Sequence, residues 1–261
     1  MAISQAKLAE VYNNLHAMIV INVKNIAGRA PFSMIAPSQN SAGGMGYEGQ
    51  CMSTIERIKC GNGNVYLVSS GDNAILIDTC RESYRDMILE KCKRKKVSLI
   101  ILTHGHVDHI QNAAFLSKQL NVPIALHKGD YELTKDNWAQ PMSAHSLLGK
   151  IILMLSKKSF KSDRIEPFEP HVFLSDGDEL NRYGVQATVI ELPGHTKGSI
   201  GVRVDGTDVI VGDALMNMVY PTRSPLYGDK ENVKTSAAKI SALGAVMVHF
   251  GHGKPVRNRN W

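Results

Sequence analysis

Apolar and polar positions follow different patterns in the first fifty residues and in the rest of the chain. Gln5–Leu15 has helical spacing, but Ala27–Gly49 is a tract rich in Gly, Pro, Ser and Asn, which reads as linker or loose extension. From Ser53 the pattern changes. Thr54–Lys59, Val65–Ser69 and Ala74–Asp78 are short apolar or alternating runs separated by glycine turns, the mark of strands joined by hairpins. A helix over Glu82–Lys95 leads into the wholly apolar Val97–Leu102, a buried strand by composition. A helix over Gln111–Leu120 and a strand over Val122–His127 follow, and Ser143–Ser156 places Leu147, Leu148, Ile151, Ile152 and Leu155 at helical spacing. Further strands are expected over Gln186–Leu192, Ser199–Val204, Asp208–Val211 and Ala245–Phe250, with a helix over Glu231–Leu243. Strand meanders interleaved with helices predict an α/β layered domain spanning 52–261, preceded by an extension, 1–51.

Met52 opens the patterned region. In a bacterial source, Glu48-Gly49 would be encoded by a purine-rich stretch resembling a ribosome-binding sequence, which makes residues 1–51 a candidate mis-called extension. N-terminal sequencing of natively expressed protein tests this.

Composition narrows the class. With 43% hydrophobic and 21% charged residues the chain is an ordinary globular protein. No apolar run approaches the roughly 18–20 residues of a membrane span. The apolar stretch at Ala17–Val23 is short and lacks the basic lead-in of a signal peptide. Cys51, Cys60, Cys80 and Cys92 form no CxxC pair, so reduced thiols in a cytoplasmic protein are expected. A net charge of +6 is a mild basic bias that favours an anionic substrate. The densest run, Lys91–Lys96, ends a helix, where cations suit the dipole. A small-molecule substrate is therefore expected, with neither nucleic acid nor membrane as partner.

The chemistry concentrates in THGHVDHI, Thr103–Ile110. Gly105 and the preceding apolar strand make 104–106 extended, so His104 and His106 point to one side and can grip one ion. Asp108 and His109 stand at the entry to the next helix and can turn toward a second. Imidazole with carboxylate suits zinc, and iron or manganese are compatible. One cluster cannot complete two coordination shells. His195 in ELPGHTKGS, Asp213 in VIVGDAL and His252 in VMVHFGHGKP each follow an apolar strand, and supply the remaining donors. Asp78, closing ILID, is a candidate to support a ligand rather than to be one. His16, His127, His145, His171 and His249 have no comparable setting.

THGHVDH, PGHTKGS, GDA and GHG, in that order and after ILIDT, resemble the metal motifs of the metallo-β-lactamase superfamily over about 210 residues, from Met52 to the C-terminus. The resemblance implies an αββα sandwich with two zinc ions at one edge of its central sheets. It implies that His104, His106 and His195 bind the first metal, that Asp108, His109 and His252 bind the second, and that Asp213 bridges both. A hydroxide held between the ions would attack an activated acyl bond (thioester, lactone or other ester), with Asp108 relaying a proton to the leaving group. The catalytic candidates are therefore Asp108 and Asp213.

Departures from the family pattern bear on the subfamily. Asp213 argues against β-lactamase activity, because the true β-lactamases generally lack that bridging Asp. Only Gly253–Trp261 follow His252, so the helical substrate domain of glyoxalase II-type thioesterases is not expected. Trp138–Pro170 corresponds to the variable insertion that shapes the pocket, as lid, wall or packed helix, and Lys157, Lys158, Lys161 and Arg164 make its end basic. Cys80 stands where relatives often have Gly, and Gln111-Asn112 replaces a common Gly-Gly. Two other readings stand beside the hydrolase: an iron-dependent oxidoreductase like the superfamily's persulfide dioxygenases, and a non-catalytic metal-binding module.

Overall fold

The computed structural model describes residues 52–261 except 145, 147–148, 152 and 155–162. The expected helix at Gln5–Leu15, the tract at Ala27–Gly49 and the proposed start region all lie outside the described residues, apart from Met52 itself.

Six strands form the first sheet in the order of their numbering: β1 (Thr54–Cys60), β2 (Gly63–Ser70), β3 (Asn73–Ile77), β4 (Lys96–Ile101), β5 (Ile124–His127) and β6 (Val172–Leu174). The first three are antiparallel neighbours and the last four are parallel. Both hairpins have two-residue loops opened by a glycine, Gly61 (φ 65°) and Gly71 (φ 59°), in the left-handed region that a type II′ turn needs. The second sheet holds β7 (Ala187–Glu191), β8 (Ile200–Val204), β9 (Asp208–Ile210), β10 (Met247–His249) and β11 (Val256–Arg257), in the order β11-β10-β9-β8-β7.

Period-2 alternation sorts the side chains into three layers. On β2 and β3, Val65, Leu67, Ala74 and Leu76 face outward onto α1 (Arg85–Cys92) and α3 (Ala113–Leu120), through Ile88, Leu89, Cys92 and Leu116. Their neighbours Tyr66, Val68, Ile75 and Ile77 face inward and meet Ala187, Val189, Ile200, Val202 and Ile210 of the second sheet. That sheet's outer face, Ile190, Val209, Val211 and Val248, packs on Ala237 and Ile240 of α4 (Lys230–Ser241), whose first turn is capped by the Asp229 side chain. Each fully buried Leu, Ile or Val contributes roughly 1.5–3 kcal/mol over the exposed state. The result is the expected αββα sandwich.

Several boundaries differ from the sequence reading. Glu82–Tyr84 is a 3-10 turn before α1, and α1 stops at Cys92 because the polar run after it turns into β4. A separate single-turn helix, α2 (Val107–Ile110), precedes α3. Ser143–Ala144, expected at the start of a helix, instead pairs antiparallel with Leu226–Tyr227, and helical geometry is found at 149–151, 153 and 154. Leu147, Leu148, Ile152 and Leu155 lie outside the described residues. Leu215–Met216 and Thr222–Arg223 form another short ribbon. Among the described residues no helix is long and apolar enough to cross a membrane.

Candidate metal centre

Strand direction explains why distant motifs converge. β7 and β9 both run antiparallel to β8, and β10 runs parallel to β9, so β7, β9 and β10 all end at the same edge of their sheet. The residues just past those ends are His195, Asp213 and His252. β3 and β4 are likewise parallel, and deliver Asp78 and His104 together. Backbone bonds between the edges lock the sheets together: Ile200 N donates to Thr103 O at 2.8 Å, and Asn64 N to Gly251 O at 2.8 Å.

The seven sequence candidates come together in overlapping groups. His104, His106 and His195 form one; Asp108, His109 and His252 a second; His104, His109 and Asp213 a third, with the donor atoms of each group within 4.8 Å of one another. Asp213 lies between the first two. Its Oδ2 is 3.6 Å from His195 Nε2 and 3.4 Å from His252 Nε2, and its Oδ1 is 3.5 Å from His109 Nε2. All seven are buried except Asp108, which is half-buried.

Each ring is oriented from behind. His109 Nδ1 meets Asp78 Oδ2 at 2.8 Å, His252 Nδ1 meets Asn62 O at 2.9 Å, and His195 Nδ1 meets Leu226 O at 2.9 Å. A carbonyl or carboxylate accepts only, so these three rings carry a proton on Nδ1 and turn Nε2 inward. His104 Nδ1 lies 3.2 Å from Thr103 Oγ1, which itself donates to Asp78 Oδ2 at 2.9 Å, so the same tautomer suits it. His106 turns the other way: its Nδ1 faces His195 Nε2 at 3.0 Å, where two lone pairs need a proton or a cation between them.

Electrostatics divides the rings. Burial, reinforced by the neighbouring imidazoles, holds His104 well below its usual pKa, and burial with His195 brings His106 to about 3. Burial also lowers His195. Burial opposes a proton on His109 too, but the Asp78 and Asp213 carboxylates outweigh it and lift that ring to about 9. Asp213 and Asp108 likewise overcome burial at His252 and raise it well above the usual value. Burial works against both carboxylates, yet the facing rings, His252 foremost, hold Asp108 and Asp213 below the usual carboxylate range. The pocket therefore seeks positive charge.

A divalent metal fits this donor set. His104 Nε2, His109 Nε2 and Asp213 Oδ1 are buried and have no hydrogen-bond partner among the described residues, a costly state for polar atoms that a cation relieves. Three imidazoles on one side and two imidazoles with a carboxylate on the other, sharing a further carboxylate, are donors that zinc and iron both accept.

Other expectations resolve around this centre. Asp78 supports His109 and also accepts from Thr103 N at 2.8 Å, from a backbone position with φ 62°. Cys80 adopts φ 54°, the conformation that favours the glycine expected there, and Asn112 Nδ2 donates to the carbonyls of Thr79, Cys80 and Arg81. The two departures thus belong together: Asn112 clamps the loop that Cys80 strains. His127 sits away from the centre, 3.2 Å from Glu191, and His249 pairs with Asp208 at 2.7 Å. Sequence reasoning missed Asn137, whose side chain accepts from Val107 N at 2.8 Å and donates to Gly105 O at 2.9 Å, and it missed Asp130. It also gave no role to Gly251, whose absent side chain leaves room for Asp213 and His109.

The family model for the metallo-β-lactamase superfamily matches residues 58–252. The chain is 26% identical over 225 residues to the probable metallo-hydrolase YflN of Bacillus subtilis, covering 76% of this chain and 83% of that one. It resembles the crystal structure of TTHA1623 in a di-iron-bound form with a TM-score of 0.58 at 26% identity, covering 78% of this chain and 94% of that one. ETHE1 from Myxococcus xanthus shares the fold, with a TM-score of 0.53 at 19% identity over 78% of this chain and 79% of that one. The chain belongs to the metallo-β-lactamase superfamily, as one of its metallo-hydrolases.

Proposed function

We propose that the chain is a dinuclear-metal hydrolase of activated acyl bonds: a thioester, a lactone or another ester. The observation that carries this reading is the position of Asp213, in reach of His195, His109 and His252 at once. His104, His106 and His195 would hold the first ion, Asp108, His109 and His252 the second, and Asp213 would bridge them. Such a pair supplies Lewis acidity and a nucleophile at neutral pH.

The chain's own residues do the rest. Asp78, Asn62 O and Leu226 O keep the Nδ1 protons in place, so the Nε2 lone pairs need no reorganisation. Asp108 is the most exposed of the seven, and its carboxylate faces His252 at 3.5 Å; ionised at rest, it would take a proton from the nucleophile and relay it to the leaving group. A cavity of about 660 Å³, lined by Thr134, Asn137, Trp138, Ile165 and Phe168 among others, adjoins the metal loop through Asn137. None of the seven ligand candidates lines it, and Lys135, Asp136, Asp163 and Glu169 stand among its apolar walls, so it would receive a remote part of the substrate rather than the scissile bond. Part of the 138–170 insertion walls this cavity.

The test is turnover of a panel of thioesters, lactones and phosphodiesters by metal-replete protein. Acyl substrates are expected to turn over, and Asp108→Asn and Asp213→Asn to abolish it with the fold intact. Undiminished turnover in both variants refutes the reading. Iron in place of zinc is the second reading, favoured by the di-iron form of TTHA1623 and by a donor set that iron accepts. Metal analysis with an oxygen electrode separates the two: iron with oxygen uptake selects redox chemistry.

A further inference from the structure

We propose that Asp130 is the positioning residue that sets the first triad of the metal centre, by tying the loop of His104 and His106 to the loop of His195. The proposal rests on the dinuclear reading above. Asp130 is fully buried, and its side chain is hydrogen-bonded to neutral donors alone. Oδ2 accepts from Gly105 N at 2.9 Å and from Thr196 Oγ1 at 2.7 Å. Oδ1 accepts from Gly198 N at 2.7 Å and from Gln140 Nε2 at 3.2 Å. Gly105 stands between His104 and His106, while Thr196 and Gly198 closely follow His195. One carboxylate therefore holds the backbone on both sides of the first triad, and the second triad has no comparable tie to it.

The surrounding residues are shaped for this contact. A Cβ at Gly105 would come 3.1 Å from Asp130 O, and one at Gly198 would come 2.9 Å from Asp130 Cβ, so the three segments close only because both positions are glycine. Gln140 is fixed in turn, because its Oε1 accepts from Lys197 N at 2.8 Å. Asp130 cannot be a ligand as well: both oxygens are engaged away from the centre, and it belongs to none of the converging groups.

Asp130→Asn is the informative change. It keeps the shape, but in either orientation its NH₂ faces a backbone N–H, that of Gly198 or that of Gly105. Metal-free protein is titrated with Co(II), and the d–d absorption is followed alongside circular dichroism. His195→Ala and His252→Ala serve as references that each lack one ligand of one triad. The parent is expected to bind two ions. Asp130→Asn is expected to remain folded, to weaken the step that His195→Ala removes by tenfold or more, and to change the step that His252→Ala removes by less than threefold. Equal weakening of both steps, or no change in either, overturns the proposal. If Asp130→Asn does not fold, Thr196→Val removes one of the four bonds, and weakening confined to the first step is again the expected result; an unchanged first step overturns it. A parent that binds less than one ion per molecule fails at the dinuclear reading itself, and that is seen before any variant is compared.

Discussion

Replacing Asp78 with Asn tests how the second triad is held. Asp78 is 1% exposed and accepts three hydrogen bonds: Thr103 N to Oδ1 at 2.8 Å, Thr103 Oγ1 to Oδ2 at 2.9 Å and His109 Nδ1 to Oδ2 at 2.8 Å. An amide cannot accept at both ends. With its NH₂ toward Thr103 N, two N–H groups face each other in a buried site, at a cost of about 1–3 kcal/mol. With its NH₂ toward His109, the amide faces the Nδ1–H that the ring must keep while its Nε2, on the Asp213 side, binds a cation. The loss of such a supporting contact lowers metal affinity about 10- to 100-fold, or about 1.4–2.7 kcal/mol. The strand-end position with φ 62° remains adoptable by Asn, so the fold should survive. The expected result by isothermal titration is one weakened step out of two, with melting lowered by about 2–4 °C for each kcal/mol lost. Parental affinity for both ions in a folded Asp78→Asn protein would refute the reasoning.

The remaining predictions use the same centre. Because the Asp78 and Asp213 carboxylates lift His109 to about 9 against the opposing effect of burial, that ring is protonated at neutral pH in metal-free protein; metal binding must release protons, and apparent affinity should rise with pH up to about 9. Calorimetry in buffers of different ionisation enthalpy counts them, and no release at pH 7 contradicts the assignment. By the same shift, a ring raised above its ordinary value of about 6.5 stabilises the metal-free fold fully below that pH and loses this contribution as pH climbs through about 9, which pH-dependent melting reads. Gly251→Ala should cost at least tenfold in metal affinity, since its Cβ would overlap Asp213 Oδ1 and lie 2.8 Å from His109 Cε1; unchanged stoichiometry and activity would contradict the packing. Trp138→Ala should raise KM for acyl substrates several-fold with little change in kcat, because it removes a cavity wall away from the reacting atoms. A lowered kcat at constant KM would move Trp138 into the chemistry.

The sequence exposes some of this architecture and conceals the rest for reasons that particular residues make plain. β2 to β4 are legible because each is long enough to alternate or to run apolar, and each is bounded by glycine or charge. Val172–Leu174 is not, because three residues after a proline-containing stretch carry too little period to count. The two-residue ribbons are invisible for the same reason, and one of them claimed Ser143–Ala144 from an expected helix because pairing with Leu226–Tyr227 outweighs local propensity. The seven ligand candidates are legible because four of them crowd one short stretch after an apolar strand, and His195, Asp213 and His252 each stand three or four residues past another such strand. Asp78 shares that signal, standing at the end of ILI. Asp130 has none: in KGDYEL, between Lys128 and Glu132, it reads as one more surface charge, and nothing local distinguishes it from Glu132, which is exposed. What buries it is the approach of two loops 66 residues apart, Asp130 to Thr196, and only glycines at 105 and 198 permit that approach. A ligand can announce itself by its place on a strand, whereas a residue that holds two ligand loops together is defined only by the fold that brings them to it.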